Sequence, residues 1–394
     1  MLHTKLWAVN GSGLAFNVSF LMLALLVPID AIHLGYAAWM VGVLAATPGI
    51  MQLPARILSG PLTAYLGERR LLLVTFGVGA AAGLFAAGIG PRIAGLVLAQ
   101  LSIGAARGVF WTAAQSMASK LGTDPSRNLG NFTSATKGGA LLGIAASGSV
   151  AGILGIPAAF VLSAALSVVA GILAWGLPVL PRAAEEPNFT EAVRALGPVS
   201  KRPIVVVSGL VALLTALPQA LAQSFYPVRL LRLHMAPQAA TAITALQSLG
   251  MIGAGLLATT MIRRWGFRKV ILGSIGMLGV AVAASSTGSV RILAGCLLVT
   301  GVAAGLLNVG FLSAVTVYGD PSQRGLYFGV TQVYFVLAMI ATPLISGILA
   351  DRASLPVMFL TDGTFTLATG IVVMTLWAWG FRQGRPAPRP NRTS

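Results

Sequence analysis

Polar and aromatic side chains recur at helical spacing inside four apolar stretches of the sequence. In one of them Arg107, Trp111 and Gln115 follow at intervals of four residues, which places them on one face of a helix. The other three stretches carry Asn10, Asn17 and Phe20, then Gln219, Gln223 and Tyr226, and finally Asn308 and Phe311. Amide and guanidinium groups hydrogen-bond to the polar parts of a solute, and aromatic rings contact its apolar parts. The pattern predicts a solute-binding site, although each amide could instead bond neighbouring helices, which is worth about 0.6 kcal/mol.

Three cations lie inside apolar stretches without an acidic partner. Arg107 is close to the middle of its stretch, where a charge costs about 2.5–3.5 kcal/mol on insertion scales, so we expect its guanidinium to face a cavity. Arg56 and Lys137 lie about two turns from the end of theirs, from where long side chains can reach the membrane surface. A guanidinium binds carboxylate or phosphate through paired hydrogen bonds. The imbalance favours an anionic, zwitterionic or neutral amphiphilic solute. In the alternative, Arg107 has a structural or gating role or tunes a proton site elsewhere.

The elements that position these residues are membrane-spanning helices. Of 394 residues, 56% are hydrophobic and only 9% are charged, whereas soluble proteins have about 25% charged residues. Twelve apolar runs come close to the roughly 20 residues that cross a bilayer core as a helix. Backbone groups in lipid must bond within their own segment, which requires helices here. The runs are 9–30, 37–62, 71–90, 93–117, 131–154, 157–180, 204–226, 238–262, 270–288, 292–317, 326–350 and 357–380.

Basic residues predict the orientation and the cellular location. Both ends of a chain with twelve spans lie on one side, and that side holds 18 of the 26 Lys and Arg residues, against 5 on the other. Positive residues accumulate on the cytoplasmic side. We therefore predict cytoplasmic termini in a multi-pass protein of a bacterial inner (plasma) membrane. The net charge of +17 does not indicate nucleic acid as a partner, because the basic residues are scattered between apolar runs.

The two halves of the chain resemble each other at a shift of nearly half its length. Asp124-Pro125-Ser126 recurs as Asp320-Pro321-Ser322, Gly67-Glu68-Arg69-Arg70 recurs as Gly266-Phe267-Arg268-Lys269, and Ser147-Gly148 recurs as Ser346-Gly347. The largest hydrophilic connection separates the sixth run from the seventh. We therefore predict an all-α membrane protein of twelve transmembrane helices in two pseudo-symmetric six-helix bundles. The bundles are residues 1–181 and 203–394, the second ending in a short basic cytoplasmic tail, and 182–202 is a cytoplasmic linker.

Short motifs along the chain carry a family resemblance. The loop after the second run reads Gly60-Pro61-Leu62-Thr63-Ala64-Tyr65-Leu66-Gly67-Glu68-Arg69-Arg70. Its glycines, its leucine and its basic end match the form Gly-x-Leu-Ala-Asp-Arg-x-Gly-Arg-Lys. The fourth run contains Gly104-Ala105-Ala106-Arg107-Gly108, the fifth contains Gly139, Gly143, Ile144, Ser147 and Gly148, and the eleventh contains Pro343, Ser346 and Gly347. With its twelve runs and its repeat, the whole chain resembles the major facilitator superfamily of secondary transporters.

The resemblance implies roles for particular residues. Helices one, four, seven and ten line the central cavity of this family, which assigns Asn17, Arg107, Trp111, Gln115, Gln219, Gln223, Tyr226, Asn308 and Phe311 to substrate binding. The residues assigned to gating or to the motifs are Gly60, Gly67, Arg69, Arg70, Gly143, Gly148, Arg56, Lys137, Pro343 and Gly347. The loop aspartate of the family is replaced by Ala64, so its cytoplasmic latch is expected to be weaker or differently built.

The resemblance also implies a function. The fifth-run motif favours the drug–proton antiporter branch and thus efflux of a small organic solute by alternating access, coupled to a proton or another ion. The partners are then the solute and the lipid bilayer, and the working unit is a monomer. The alternatives are a flippase for lysolipid-type amphiphiles and an importer of organic anions. We expect no enzyme, metal or cofactor, because paired acids, a Ser/His pair at depth and a nucleotide-binding loop are all missing.

Overall fold

The structure is a computed structural model, and it describes residues 2–88, 92–121, 125–179, 198, 200–318 and 324–380. Within these residues it consists of helices and contains no strand. The helices are α1 (Leu2–His33), α2 (Ala38–Leu66), α3 (Glu68–Ala87), α4 (Arg92–Lys120), α5 (Pro125–Leu154), α6 (Ile156–Trp175), α7 (Pro203–Gln223), α8 (Phe225–Arg232), α9 (Pro237–Trp265), α10 (Phe267–Ala284), α11 (Val290–Tyr318), α12 (Arg324–Arg352) and α13 (Leu355–Gly380).

All of these helices except α8 are long enough to cross a membrane. Among the described residues, 11 helices also meet the hydropathy of a membrane span, and they coincide with eleven of the predicted runs. The remaining long helix, α9, covers the predicted eighth run. It has 29 residues, and at 1.5 Å per residue it is about 44 Å long, more than the hydrocarbon core of about 30 Å. The predicted all-α membrane fold is confirmed.

The predicted seventh span, 204–226, is interrupted near its end. Helix α7 ends at Gln223, and Ser224 leaves helical geometry with φ −130° and ψ −75° before α8 begins at Phe225. Pro227 explains the break, because a proline ring collides with the carbonyl four residues earlier and has no N–H to bond to it. That carbonyl belongs to Gln223, the last residue of α7.

The two halves of the chain repeat one packing scheme. In the first half α1 contacts α5 and α6, α3 contacts α4 and α6, and α2 contacts α4. In the second half α7 contacts α12 and α13, α10 contacts α11 and α13, and α9 contacts α11. Helices α1–α6 and α7–α13 therefore form two pseudo-symmetric bundles of six spans each.

Glycines allow the same close approach at equivalent places in both bundles. A Cβ on Gly104 of α4 would overlap the backbone of Pro48 in α2, and a Cβ on Gly301 of α11 would overlap the backbone of Gln247 in α9. Gly104 and Gly301 are 197 residues apart, close to the shifts of the sequence repeat. The repeat thus includes the seams along which helices touch backbone to backbone.

The two bundles approach each other most closely toward one end of the molecule. There α2 lies against α12, and α5 lies against α9. Gly42 contacts Pro343 and Gly347, and Gly148 contacts Thr241, so closely that a side chain on either glycine would overlap its neighbour. We call this end, formed by the first turns of α2 and α9 and the last turns of α5 and α12, the closed end.

The predicted linker and tail lie mostly outside the described residues. Of 182–202 only 198 and 200–202 are described, and the description ends at Gly380. The division of the chain into residues 1–181, 182–202 and 203–394 therefore stays a prediction.

Candidate functional site

A cavity of about 540 Å³ lies between the two bundles. Its wall comes from α1, α4 and α5 of the first bundle and from α7, α9 and α11 of the second. On α5 the wall includes Thr133, Ser134 and Lys137, which are exposed and lie in the first half of that helix. Because the last turns of α5 belong to the closed end, the cavity opens toward the opposite end, at which α1 begins. We call that end the open end.

Six of the residues predicted to bind solute line this cavity. They are Asn17, Arg107, Trp111, Gln219, Gln223 and Asn308. They come from α1, α4, α7 and α11, which are spans one, four, seven and ten, so both bundles contribute polar groups to one space. The amide nitrogen of Asn17 donates to the carbonyl of Gly13 at 2.8 Å, a bond within α1 that fixes the side chain beside the cavity.

Three other residues that were predicted to bind solute are not among the residues that line this cavity. Gln115 is exposed but does not line the cavity, and at 3.6 residues per turn its helix has rotated about 80° off the Arg107 direction after eight residues. Tyr226 follows the break after α7 and is fully buried, with its hydroxyl 2.9 Å from Ser285 Oγ. Phe311 is 1% exposed and belongs to the hydrophobic core.

Arg107 is the central charge of the cavity wall. Its guanidinium carbon lies 4.1 Å from the ring centroid of Phe20, a cation–π contact worth about 0.5–2 kcal/mol. With the residues that the structure describes, Arg107 makes no ion pair and no hydrogen bond. The N–H donors of its guanidinium are therefore available to a solute.

Two further cations add to the positive field of the cavity. Lys137 lines it from α5, and Arg56 donates a hydrogen bond to Gln332 Oε1 at 3.3 Å across the α2–α12 contact. Arg56 repels Arg107, and Arg107 repels Lys137. In the described part of the chain, no carboxylate lines the cavity.

Carboxylates buried in the described helices have partners elsewhere in the bundles. The pairs are Asp30 with Arg92 at 2.6 Å, Glu68 with Lys120, and Asp362 with Ser346 Oγ at 2.8 Å. Each bond joins neighbouring helices of the same bundle. None of these pairs involves Arg107, so its charge is not balanced by them.

The residues assigned to gating occupy different places. Gly148, Pro343 and Gly347 lie in the closed-end contacts, and Gly143 brings α5 against Val18 of α1. Gly67 joins α2 to α3 at φ 76°, a conformation that side chains rarely adopt, and Arg69 and Arg70 follow it at the open end. Gly60 lies in α2, but its surroundings are outside the described residues.

Helices α5 and α9 contribute polar groups that the sequence spacing did not indicate. They are Thr133, Ser134 and Thr136 on α5, and Gln247 and Ser248 on α9. Gln247 also donates to the carbonyl of Pro218 in α7 at 2.6 Å. Gln247 and Met251 both line the cavity. Their four-residue interval is the feature of the sequence that could have predicted a cavity-facing side of α9.

Comparisons with known proteins bear on the fold and the family. The family model described as Major Facilitator Superfamily matches residues 9–231 and 208–394. Of the solved structures, the nucleoside transporter NupG is 16% identical, with a TM-score of 0.81, covering 95% of this chain and 99% of that chain. A bacterial homolog of the human lysosomal transporter Spinster, inward-facing and occupied, is 14% identical, with a TM-score of 0.74, covering 98% of this chain and 98% of that chain. The D-xylose-proton symporter is 15% identical, with a TM-score of 0.75, covering 95% of this chain and 97% of that chain. No curated protein sequence matches the chain.

Proposed function

This chain belongs to the Major Facilitator Superfamily, and we propose that it moves a small organic anion across its membrane by alternating access. It is a multi-pass membrane transporter and not an enzyme. In the proposed cycle the two bundles rock about the cavity, so that the solute meets first one side of the membrane and then the other. The similar solved proteins are named for solutes as different as nucleosides and D-xylose. The solute class must therefore be inferred from the cavity itself.

The unbalanced positive charge of the cavity is the observation that supports an anionic solute. Arg107 and Lys137 line it, and no carboxylate of the described chain faces them. Like charges held near one another in a medium less polar than water repel strongly, and a bound anion relieves that repulsion. A carboxylate or phosphate of the solute would accept paired hydrogen bonds from Arg107. A permanently cationic solute would be repelled by the same field.

The rest of the wall suits an organic body. Leu21, Ile144, Met251 and Val309 line the cavity together with the indole of Trp111. A volume of about 540 Å³ falls within the roughly 300–1,000 Å³ typical of pockets for small molecules. We infer that the anionic group contacts α4 and α5 while the apolar part contacts α9 and α11.

A neutral polar solute is the second candidate, and the amides of the wall favour it. Asn17, Gln219, Gln223, Gln247 and Asn308 all line the cavity. Each can donate and accept hydrogen bonds, as recognition of a hydroxyl-rich or heterocyclic solute requires. For such a solute the charge of Arg107 would matter less than its donors.

We propose that the open end faces the cytoplasm of a bacterial inner membrane and that a monomer is the working unit. Arg69, Arg70, Arg263 and Arg264 lie at the open end, in keeping with the positive charge of cytoplasmic loops. For the direction we propose efflux by proton-coupled antiport, supported by the glycines of α5. Import of organic anions and flipping of lysolipid-type amphiphiles are the alternatives.

The test is uptake into proteoliposomes under imposed pH or sodium gradients, with anionic, neutral and cationic solutes. The wild type is compared with Arg107→Ala and with a matched control, Arg291→Ala. Arg291 is exposed at the start of α11, toward the closed end. We expect the wild type and the control to accumulate an anionic solute and Arg107→Ala to lose at least nine-tenths of that rate.

The same assay separates the alternatives. Solute that moves in the direction opposite to the proton flow indicates antiport. Solute that moves in the same direction as the protons indicates symport, which would favour import. Full activity of Arg107→Ala on every solute would exclude Arg107 from the binding site. A preference of the wild type for permanently cationic dyes would overturn the proposed solute class.

A further inference from the structure

A second cavity, of about 400 Å³, lies on the outer surface of the first bundle between α3 and α6. We call it the α3–α6 groove. Its floor is Phe76, which is 1% exposed, and its rim includes Ile172, which is 68% exposed. Two glycines of its wall keep it open: a Cβ on Gly77 would meet no atom within 4 Å, and a Cβ on Gly171 would meet Phe76 Cβ at 3.7 Å. The groove is apolar and faces the lipid.

The mouth of the groove is basic and aromatic. Trp175 lines it and is 69% exposed, and the guanidinium carbon of Arg69 lies 5.6 Å from its ring centroid. The Nε atom of Arg69 is buried without a hydrogen-bond partner, and the neighbouring Arg70 is exposed. Glu68, the acid next to them, is bound to Lys120. The two guanidinium groups therefore keep an unsatisfied preference for an anion.

The position of the groove matches the depth of one lipid leaflet. Eight residues of α3 separate Arg69 from Gly77, which is about 12 Å along a helix, and half the hydrocarbon core is about 15 Å thick. Tryptophan prefers the interface between headgroups and acyl chains, where Trp175 would then lie. The mouth is thus at the headgroup level, and the glycines are at the level of the acyl chains.

We propose that the α3–α6 groove binds an anionic glycerophospholipid. Its phosphate is held by Arg69 and Arg70 beside Trp175, and one acyl chain lies over Phe76 between Gly77 and Gly171. Basic pockets between membrane helices bind anionic headgroups in this way. The proposal concerns the lipid-facing surface and does not depend on the solute class of the central cavity.

The second bundle offers a matched control for this site. Arg268 and Lys269 begin α10 as Arg69 and Arg70 begin α3, and both are exposed. The counterpart of Gly171 is Gly370, whose Cβ would lie 2.7 Å from Ile275 Cγ2, so α10 and α13 are closely packed there. The second bundle therefore has the same basic pair, but the space that Gly171 leaves open in the first bundle is filled there by Ile275.

The experiment measures lipid retained by the purified full chain. Protein stripped of lipid is incubated with dioleoyl phosphatidylglycerol or dioleoyl phosphatidylcholine, and bound lipid is counted by native mass spectrometry. The groove variants are Gly77→Leu, which fills the space, and Arg69→Gln with Arg70→Gln, which removes the charges. The controls are Gly276→Leu, at a glycine of α10 with nothing within 4 Å of its Cβ, and Arg268→Gln with Lys269→Gln.

We expect the wild type to bind phosphatidylglycerol at least tenfold more tightly than phosphatidylcholine. Each groove variant should lose that preference, and both controls should keep it. Equal retention by the wild type and both groove variants would overturn the proposal, as would equal retention of the two lipids by the wild type. Thermal unfolding of each variant in detergent verifies that the variant is folded. If Gly77→Leu does not fold, the variant with Arg69→Gln and Arg70→Gln still tests the site.

Discussion

Arg107 shows how one residue can define the chemistry of a site. A charge at this depth costs about 2.5–3.5 kcal/mol on insertion scales, and the contact with Phe20 offsets only part of that cost. The described structure offers no carboxylate to pair with it, although Asp30, Glu68 and Asp362 are paired elsewhere. A solute anion is the partner that would complete this arrangement.

Replacing Arg107 by Lys should separate charge from geometry. Lys keeps the positive charge but lacks the planar fork that binds a carboxylate through two bonds. We expect Arg107→Lys to weaken binding of the transported anion about tenfold, or about 1.4 kcal/mol, and Arg107→Gln to weaken it further. Isothermal titration of the purified carrier measures both values. Wild-type affinity in both variants would contradict a direct contact.

Ser346 should matter for stability, because it is a hydrogen-bond donor to a buried carboxylate. Asp362 is 7% exposed, and Ser346 Oγ donates to its Oδ2 at 2.8 Å. Removing the donor from a buried acceptor costs about 1–3 kcal/mol. We expect Ser346→Ala to lower the free energy of unfolding in detergent by that amount.

Thr364→Ala is the matched control for Ser346→Ala. The Thr364 hydroxyl is exposed and bonds to the carbonyl of Thr361 within the same helix, so its loss should cost less than about 0.5 kcal/mol. Equal losses in the two variants would show that the Ser346–Asp362 bond contributes no special stability.

At the scale of helices, glycines let the two bundles pack tightly against each other at the closed end. Gly42 on α2 contacts Gly347 on α12, and Gly148 on α5 contacts Thr241 on α9. The two contacts are related by the internal repeat, because Thr241 and Gly347 each follow their counterpart by 199 residues. Packed interfaces tend to be bistable rather than continuously deformable. A small obstruction at this seam should therefore shift the whole conformational equilibrium.

Gly148→Leu should drive the closed end apart. A Cβ at this position already overlaps Thr241 and the backbone of Pro237. We expect spin labels on the last turn of α5 and the first turn of α9 to be several ångströms farther apart than in the parent protein. Transport should fall, since the carrier cannot return to the conformation that is closed at this end.

Gly253→Leu on α9 is the control for this obstruction. A Cβ at Gly253 meets no atom within 4 Å, so the added side chain should leave the spin-label distance and the transport rate unchanged. An identical distance in Gly148→Leu and in the parent would show that the seam tolerates the side chain.

At the scale of the whole molecule, the two ends differ both in charge and in packing. The open end carries the basic turns at the end of α9 and the start of α10, with Arg263, Arg264, Arg268 and Lys269. The closed end carries the contacts between the bundles. In the orientation proposed above, the structure is open to the cytoplasm.

Cysteine labelling should reveal this orientation. In a Cys296→Ala background, which removes the single native cysteine, we expect Arg291→Cys to react with a membrane-impermeant thiol reagent on intact cells. Lys5→Cys should react only after the membrane is permeabilised. The reverse pattern would mean that the open end faces outward and would overturn the proposed cytoplasmic location of the termini.

The sequence determined the features that depend on local composition. Each span is recognisable because about 20 apolar residues are needed to cross the membrane whatever their neighbours. The four polar faces are recognisable because helical periodicity is local. For this reason the all-α fold, the two bundles and six cavity residues, Arg107 among them, were accessible without coordinates.

Only the tertiary structure decided which residues meet. Pro227 explains the break at Ser224 locally, but the contact of Tyr226 with Ser285 joins residues that are 59 positions apart in the chain. The contribution of α5 and α9 to the cavity and the open α3–α6 groove depend on how closely glycines on separate helices approach. Such distances are set by contacts between segments far apart in the chain, and no local pattern of residues encodes them.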